Sequence, residues 1–266
     1  MLNSAIVMGS LDTLISRPVL ARFVPVDYAK LAPDYDAVRG SEALDREYWF
    51  AALSEVGRLR DGDRVLDLGA GTGRFSRFAA EAGRVVAADL SLDMLARARG
   101  KGPFALVRAT AQALPFRSNA FDLTLLVMVV HQLVDLPRAL REVARVSRRV
   151  AIATSDMRTR TMGILDEAFP NLLAVDRARF PLIEDIANAL QAAGFTQVRV
   201  QERPYHRTLS VTEELDRVRR KYISTFDLLP PGEFERGVAF LEKELPKRHG
   251  DRFETSAAFT FLGASR

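Results

Sequence analysis

The middle of the chain alternates between short apolar runs and amphipathic segments. Apolar runs bounded by turn residues predict strands, and segments with apolar residues at helical spacing predict helices between them. The fourth run, at 121–127, is strongly apolar, as expected for a strand buried on both faces. The five strands predicted in this part of the chain are 64–68, 84–89, 104–108, 121–127 and 150–155.

The helical segments have recognisable ends. Ser91 and Asp93 form a typical start, since a serine caps the first turn and an acidic residue within it favours the helix dipole. Gly194 ends another helix, as glycine commonly does. The predicted helices of the core are 73–82, 91–99, 137–147 and 182–193.

The C-terminal part of the chain does not continue this alternation of strands and helices. Residues 196–201 alternate like a strand, and 253–263 predict the last strand. The segment 204–250 between them carries two predicted helices, over 211–223 and 232–245. Its length favours a lid over a ligand pocket, and a stabilising extension is the plainer alternative.

These elements predict an α/β fold. Strands that alternate with helices form parallel units, so we expect a doubly wound, mostly parallel, seven-stranded Rossmann-like sheet. Helices should cover both faces, and a helical lid should be inserted near the end. The four expected parts are a helical cap segment over 1–60, a ligand-binding core over 61–203, the lid insertion over 204–250 and the final core strand over 251–266.

Composition narrows the chemistry. The 266 residues include no cysteine, which excludes thiolate nucleophiles, disulfides and cysteine-ligated metals. The three histidines, His131, His206 and His249, are far apart in sequence, so we expect no metal site. No apolar run approaches the ~20 residues of a membrane span, and the N-terminus lacks the pattern of a signal peptide. We therefore expect a cytoplasmic protein, with the oligomeric state left open.

A basic run could indicate a nucleic-acid surface. Seven arginines lie between residues 138 and 160, against two acidic residues. Arg138, Arg141, Arg145 and Arg148 recur at the spacing of one helix face, and no aromatic residues lie between them. We favour the solvated face of an amphipathic helix, so nucleic acid is not the expected partner.

A glycine-rich loop is the sharpest chemical feature. The sequence from Asp67 to Gly73, DLGAGTG, follows a predicted strand and opens a helix. Glycines there let the backbone turn tightly and approach a ligand. The spacing differs from that of nicotinamide-binding loops, and the lysine of a P-loop is missing. Asp89, at the end of the second strand, can accept hydrogen bonds from a ribose diol, although it could also cap the next helix.

Four segments together resemble the class I S-adenosylmethionine-dependent methyltransferases, in the group of ubiquinone/menaquinone-type and small-molecule enzymes. They are 65–75 (VLDLGAGTGRF), 85–91 (VVAADLS), 109–116 (ATAQALPF) and 121–133 (FDLTLLVMVVHQL). The segment 28–39 (YAKLAPDYDAVR) is similar to the N-terminal helix of that family.

The resemblance implies a role for each matching residue. Gly69, Ala70 and Gly71 would approach the methionine part of the cofactor, and Asp67 would help to hold its amino end. Asp89 would bind the ribose hydroxyls, Leu90 and Met94 would pack on the adenine, Ala111 and Gln112 would contact its edge, and Met128 would lie beside the sulfonium. Tyr28, Tyr35 and Arg39 would close over the cofactor; for both tyrosines, core packing is the alternative. Thr110 stands where the family often has an aspartate, so it or Gln112 would accept from the adenine amine.

The acceptor side carries weaker signals. His131 follows the fourth strand and could be a general base, or it could cap a helix or line the pocket passively. Tyr205, His206 and Arg207 could contact the acceptor. The expected function is methyl transfer from S-adenosylmethionine to a small molecule by in-line displacement, with S-adenosylhomocysteine as product. The alternatives are a non-catalytic S-adenosylmethionine-binding module and a nicotinamide-dependent oxidoreductase.

Overall fold

A computed structural model describes Asp36 and residues 44–266. One mixed sheet forms the centre, with strand order β3-β2-β1-β4-β5-β7-β6. Strands β1 to β5 are parallel, and β7 runs antiparallel to both β5 and β6. The strands are β1 Arg64–Leu68, β2 Arg84–Asp89, β3 Phe104–Arg108, β4 Phe121–Val127, β5 Ser147–Thr154, β6 Arg199–Ser210 and β7 Arg252–Ser265. The predicted seven-stranded, mostly parallel sheet is confirmed, and the first four strands have the predicted bounds.

The helices connect these strands. A π-helical turn, Asp45–Phe50, leads into α1, and short 3₁₀ turns lie at Val130–Gln132 and Ser224–Leu228. The α-helices are α1 Ala51–Gly57, α2 Ser76–Ala82, α3 Leu92–Ala98, α4 Leu136–Val146, α5 Ile164–Ala168, α6 Leu172–Arg179, α7 Ile183–Ala192, α8 Val211–Arg219 and α9 Glu233–His249. Within the part of the chain that the structure describes, no helix is both long and apolar enough to cross a membrane.

Alternate residues of the central strands enter separate cores. On one face, Leu66 and Ile152 pack with α4 and α7, and on the other, Val65 and Ala151 pack with Trp49, α1 and α2. The prediction of helices on both faces is therefore confirmed. A third apolar cluster, centred on Phe169, holds α5, α8 and α9 together beside the sheet.

Some predicted bounds were wrong. Helix α2 begins at Ser76 rather than at Gly73, because Gly73 has φ +74°, which no right-handed helix accommodates. Helix α8 ends at Arg219 rather than at 223, and α9 continues to His249 rather than ending at 245. Helices α5 and α6 lie where no element was predicted.

Strand β6 is twice the predicted length. It pairs with β7 from Arg199, opposite Gly263, to Ser210, opposite Arg252. Pro204 was interpreted as the start of the insertion, yet it lies within β6. A proline fits there because β6 is an edge strand, whose outward N–H positions need no ladder partner. The predicted boundary at residue 204 thus falls inside a strand, and the helical part of the segment begins at Val211.

Candidate active site

The glycine-rich loop leaves β1 through three left-handed residues, Gly69 (φ +73°), Gly71 (φ +55°) and Gly73 (φ +74°). A Cβ on Gly69 would lie 2.5 Å from Val129 Cγ2, so that glycine is required for packing as well as for its backbone angle. A Cβ on Gly71 would enter open space. The loop therefore presents bare backbone at the carboxyl edge of the sheet, where ligands bind in such folds.

Asp89 holds this loop in place. Its Oδ2 accepts from the Gly71 N–H at 2.8 Å, and its Oδ1 accepts from the Ser91 N–H at 2.8 Å. Ser91 itself caps α3, because its Oγ accepts from the Met94 N–H at 3.3 Å. Each carboxylate oxygen can accept a second hydrogen bond, so Asp89 retains capacity for a diol.

Asp67 lies behind the loop, at the end of β1. It is only 2% exposed, and Ser76 Oγ donates to its Oδ2 at 2.6 Å. Burial raises the pKa of Asp67 to about 6, and the charge of Asp89 acts in the same direction. Asp67 is therefore a buried carboxyl group that changes charge just below neutral pH.

The predicted adenine contacts follow β2 and β3, which are adjacent strands. Met94 and Ala111 are buried, whereas Leu90 is 63% exposed. The Thr110 hydroxyl donates to Gln112 Oε1 at 2.5 Å. The structure thus brings these positions to one edge of the sheet and links the two candidate acceptors for the adenine amine to each other.

A cavity of about 140 Å³ opens at the ends of β4 and β5. Met128, directly after β4, lines it in a left-handed conformation (φ +52°), a strained state that is frequent at functional sites. His131 is 7% exposed and stacks on Phe180, with ring centroids 4.0 Å apart. Its Nε2 lies 3.4 Å from Nε2 of Gln132. The other lining residues are Ser155, Met157, Arg160, Met162, Asp176, Tyr222, Ile223, Ser224, Thr225 and Phe259.

A neighbouring cavity of about 160 Å³ shares Met128, Tyr222 and Phe259 with the first. It extends towards the glycine loop, where Arg74 lines it and pairs with the buried Asp45 through an Nε–Oδ2 contact of 2.6 Å. Trp49, Phe75, Val127, Tyr205 and Arg217 complete its lining.

Strand alternation places His206 on the opposite face of β6 from Tyr205 and Arg207, the other two predicted acceptor contacts. Tyr205 is half-buried and lines the 160 Å³ cavity. His206 points to the opposite face, where it is exposed and its Nδ1 lies 2.9 Å from Ser256 Oγ. Arg207 is half-buried and pairs with Glu213 at 3.0 Å. Of the three, Tyr205 has the position expected for a ligand contact.

Several lining residues were not foreseen from the sequence. Asp176, Phe180 and Tyr222 belong to no recognised motif, and Arg160 was counted within the basic run. In that run Arg138 and Arg141 are exposed, as expected for a solvated helix face. The other members differ: Arg145 binds the carbonyls of Leu114 and Phe116, Arg148 lies in β5, and Arg160 faces the cavity.

Two further predictions concern the N-terminal residues and metal binding. Tyr28, Tyr35 and Arg39, with most of the predicted cap segment, lie outside the described residues. Among residues 44–266 and Asp36, no group of three or more histidines or carboxylates is arranged to hold a metal ion.

Residues 66–152 match a family model described as a methyltransferase domain. They span β1 to β5, including the glycine loop, Asp89 and Met128. Over these residues the chain is similar to methyltransferase domains. A ubiquinone/menaquinone biosynthesis C-methyltransferase from Cronobacter sakazakii is 31% identical over 144 residues, which cover 50% of this chain and 57% of that relative. The chain thus spans about half the length of the curated relatives it matches.

Solved structures agree with this domain at the level of the fold. A putative methyltransferase from an antibiotic biosynthesis pathway of Anabaena variabilis superposes with a TM-score of 0.66 and 22% identity, over 80% of this chain and 95% of that one. A phosphoethanolamine N-methyltransferase from Haemonchus contortus, solved with S-adenosylmethionine, has a TM-score of 0.58 and 18% identity, over 90% of this chain and 57% of that one.

Proposed function

We propose that this protein transfers the methyl group of S-adenosylmethionine to a small-molecule acceptor and releases S-adenosylhomocysteine. The observation that carries the proposal is the placement of the glycine loop, Asp89 and Met128 at one edge of the sheet. Met128 lines both cavities there, and Arg74, directly after the loop, lines the second. The match of this segment to a methyltransferase domain supports it, as does a structural neighbour solved with that cofactor.

The residues at this edge fit the cofactor. The open space beside Gly71 admits a ligand against the backbone, and Asp89 keeps acceptor capacity for the ribose hydroxyls. We assign the methionine part to Gly69, Ala70 and Gly71, with Asp67 behind them. We assign the adenine to Leu90, Met94, Ala111 and Gln112. The closing roles of Tyr28, Tyr35 and Arg39 stay predictions.

When bound, S-adenosylmethionine supplies a methyl group on a cationic sulfur. The protein then has to align the acceptor for in-line attack and exclude water. We assign alignment to the apolar and aromatic lining around Met128 and Phe180. We propose that His131 removes a proton from the acceptor, because its buried ring faces the same cavity as Met128.

Calorimetric titration with S-adenosylhomocysteine, with NADH as the control ligand, tests the cofactor. We expect Asp89→Ala to weaken binding by about 1–3 kcal/mol, since charge-assisted hydrogen bonds are lost. Asp93→Ala is the matched control, because Asp93 is exposed in the first turn of α3. Equal affinity in the two variants would refute the ribose assignment, and binding of NADH would favour an oxidoreductase.

The catalytic part has its own test. We expect His131→Asn to lower turnover while the affinity for S-adenosylhomocysteine stays unchanged. Full turnover in that variant would leave His131 as a lining residue. A protein that binds the cofactor but consumes none with amine, hydroxyl and carbon acceptors would instead be a non-catalytic binding module. The cytoplasmic location and the absence of a nucleic-acid partner stay predictions from the sequence.

A further inference from the structure

Arg160 is a cation inside the 140 Å³ cavity. It lies in the loop between β5 and α5, and its guanidinium carbon is 4.9 Å from the centroid of the Phe259 ring. Its Nη1 donates a long hydrogen bond, 3.4 Å, to the Ala258 carbonyl. Burial lowers the pKa of Arg160, so holding the charge at this position has a cost.

Two carboxyl groups, those of Asp176 and Asp166, lie near Arg160 without forming an ion pair with it. No described carboxylate lies within ion-pair distance of Arg160. Asp176 Oδ1 accepts from the Thr225 hydroxyl at 2.5 Å and lies 3.5 Å from Arg179. Burial raises the pKa of Asp176, while its hydrogen bond from Thr225 acts in the opposite direction. Asp166 Oδ2 accepts from the Met162 N–H at 2.8 Å, whereas its Oδ1 is buried without a hydrogen-bond partner.

The tyrosines do not neutralise the cation. Tyr222 donates to Glu214 at 3.2 Å, and burial raises its pKa far above neutral, so it carries no charge. Arg160 therefore places a positive charge, with free guanidinium donors, in a cavity whose other lining is mostly methionines, aromatic rings and hydroxyl groups. Asp176 is the one carboxyl group among these lining residues, and its bonds go to Thr225 and Arg179. A half-buried arginine without a carboxylate partner matches the planar oxygens of a bound anion.

We propose that Arg160 binds an oxyanionic group, a carboxylate or phosphate, on the methyl acceptor. The inference rests on the proposed function and names its substrate class: a small acceptor with an apolar body and an anionic end. The anionic end lies against Arg160, and the body lies between Phe180 and Met128, towards the methyl donor.

The methionines supply a local readout. Met128, Met157 and Met162 line this cavity, whereas Met94 lies on the cofactor side. Protein labelled with ¹³C at the methionine methyl groups, saturated with S-adenosylhomocysteine, is titrated with benzoate, inorganic phosphate and the neutral benzamide. We expect at least one anion to shift the Met157 and Met162 signals, and benzamide to shift them far less.

Arg160→Gln should lower the affinity for the anion by about tenfold or more, as expected when a hydrogen bond to a charged group is lost. Arg160→Lys should retain part of the affinity. Arg141→Gln removes the same charge from an exposed position on α4 and should behave like the parent protein. An unchanged Met94 signal shows that each variant is folded.

Three outcomes would overturn the inference: no response to either anion, equal binding of benzoate and benzamide, or equal anion affinity in Arg160→Gln and Arg141→Gln. Whether benzoate or phosphate binds more tightly separates the two oxyanions. The cofactor is measured separately by calorimetry. Anion binding without S-adenosylhomocysteine binding would therefore refute the proposed function but keep the anion site.

Discussion

Replacing Asp67 by asparagine should stabilise the protein near neutral pH. Asparagine resembles the protonated acid, since it keeps an oxygen that can accept from Ser76 and carries no charge. Burial holds the pKa of Asp67 at about 6, against 3.8 for an exposed group. The native state therefore retains a proton that the unfolded state has already released between these two pH values.

The sign and size follow from proton linkage. Below pH 4 both states are protonated, and Asp67 has no effect on the pH dependence of stability. As the pH rises from about 4 to 6, the unfolded state is favoured, and above 6 the cost stays constant. The gap between the two pKa values corresponds to about 3 kcal/mol as an upper limit, of which about 1.4 kcal/mol develops between pH 5 and pH 8.

Urea unfolding of Asp67→Asn and the parent protein at pH 5, 6, 7 and 8 measures this difference. We expect the advantage of the variant to grow with pH and to level off above pH 7. Asp122→Asn is the control with the opposite sign. Hydrogen bonding to Arg64 lowers the pKa of Asp122 to about 2, so the ionised Asp122 carboxylate stabilises the folded protein above pH 4. Because Arg64 is 37% exposed, screening limits that loss to about 1 kcal/mol. A pH-independent difference for Asp67→Asn would refute the reasoning.

Two further comparisons test the packing. Gly69→Ala should destabilise by about 2–4 kcal/mol in urea unfolding, from the left-handed backbone and the clash with Val129 together. Gly71→Ala should cost only about 1 kcal/mol from its backbone angle but should weaken S-adenosylhomocysteine binding in calorimetry. Asp63→Asn should cost about 3 kcal/mol, because it leaves Arg149, 2.7 Å away, buried without its partner. Glu81→Gln, which breaks an exposed ion pair, should leave Tm nearly unchanged.

The central strands were predictable because their signal is local. Strands β1 to β4 are short and mostly apolar runs, so their bounds are visible in the local sequence. Gly69 follows β1, and β2 ends at Asp89. The length of β6 depends instead on β7, some fifty residues away, whose ladder continues past Pro204 to Ser210. Local propensity around a proline cannot report a partner that distant.

The residues of the candidate site also form two groups, those that the local sequence predicts and those that it does not. The glycines Gly69 and Gly71 directly follow β1, and Asp89 ends β2. Their positions in the sequence therefore predict that they lie together at one edge of the sheet. Arg160, Asp176 and Tyr222 come from three separate segments, and the packing of α5, α6 and α8 brings them to one cavity. No periodicity links those segments, so only the assembled structure identifies the acceptor side.

Asp67 and Asp89 lie at the carboxyl ends of two adjacent parallel strands, but their surroundings differ, and so do their expected roles. Asp89 is half-buried and accepts from two backbone N–H donors, and it keeps acceptor capacity with which it can hold both the loop and a ligand. Asp67 is buried and accepts from the hydroxyl and the backbone N–H of Ser76, but burial outweighs these bonds, so its charge has a cost near neutral pH. A cationic amino group bound nearby would stabilise the Asp67 carboxylate and would lower the pKa of Asp67. Cofactor binding should then release a proton near pH 6, and Asp67→Asn should abolish that release even where it raises stability. A buried carboxyl with a purely structural role would show the gain in stability without any change in proton release.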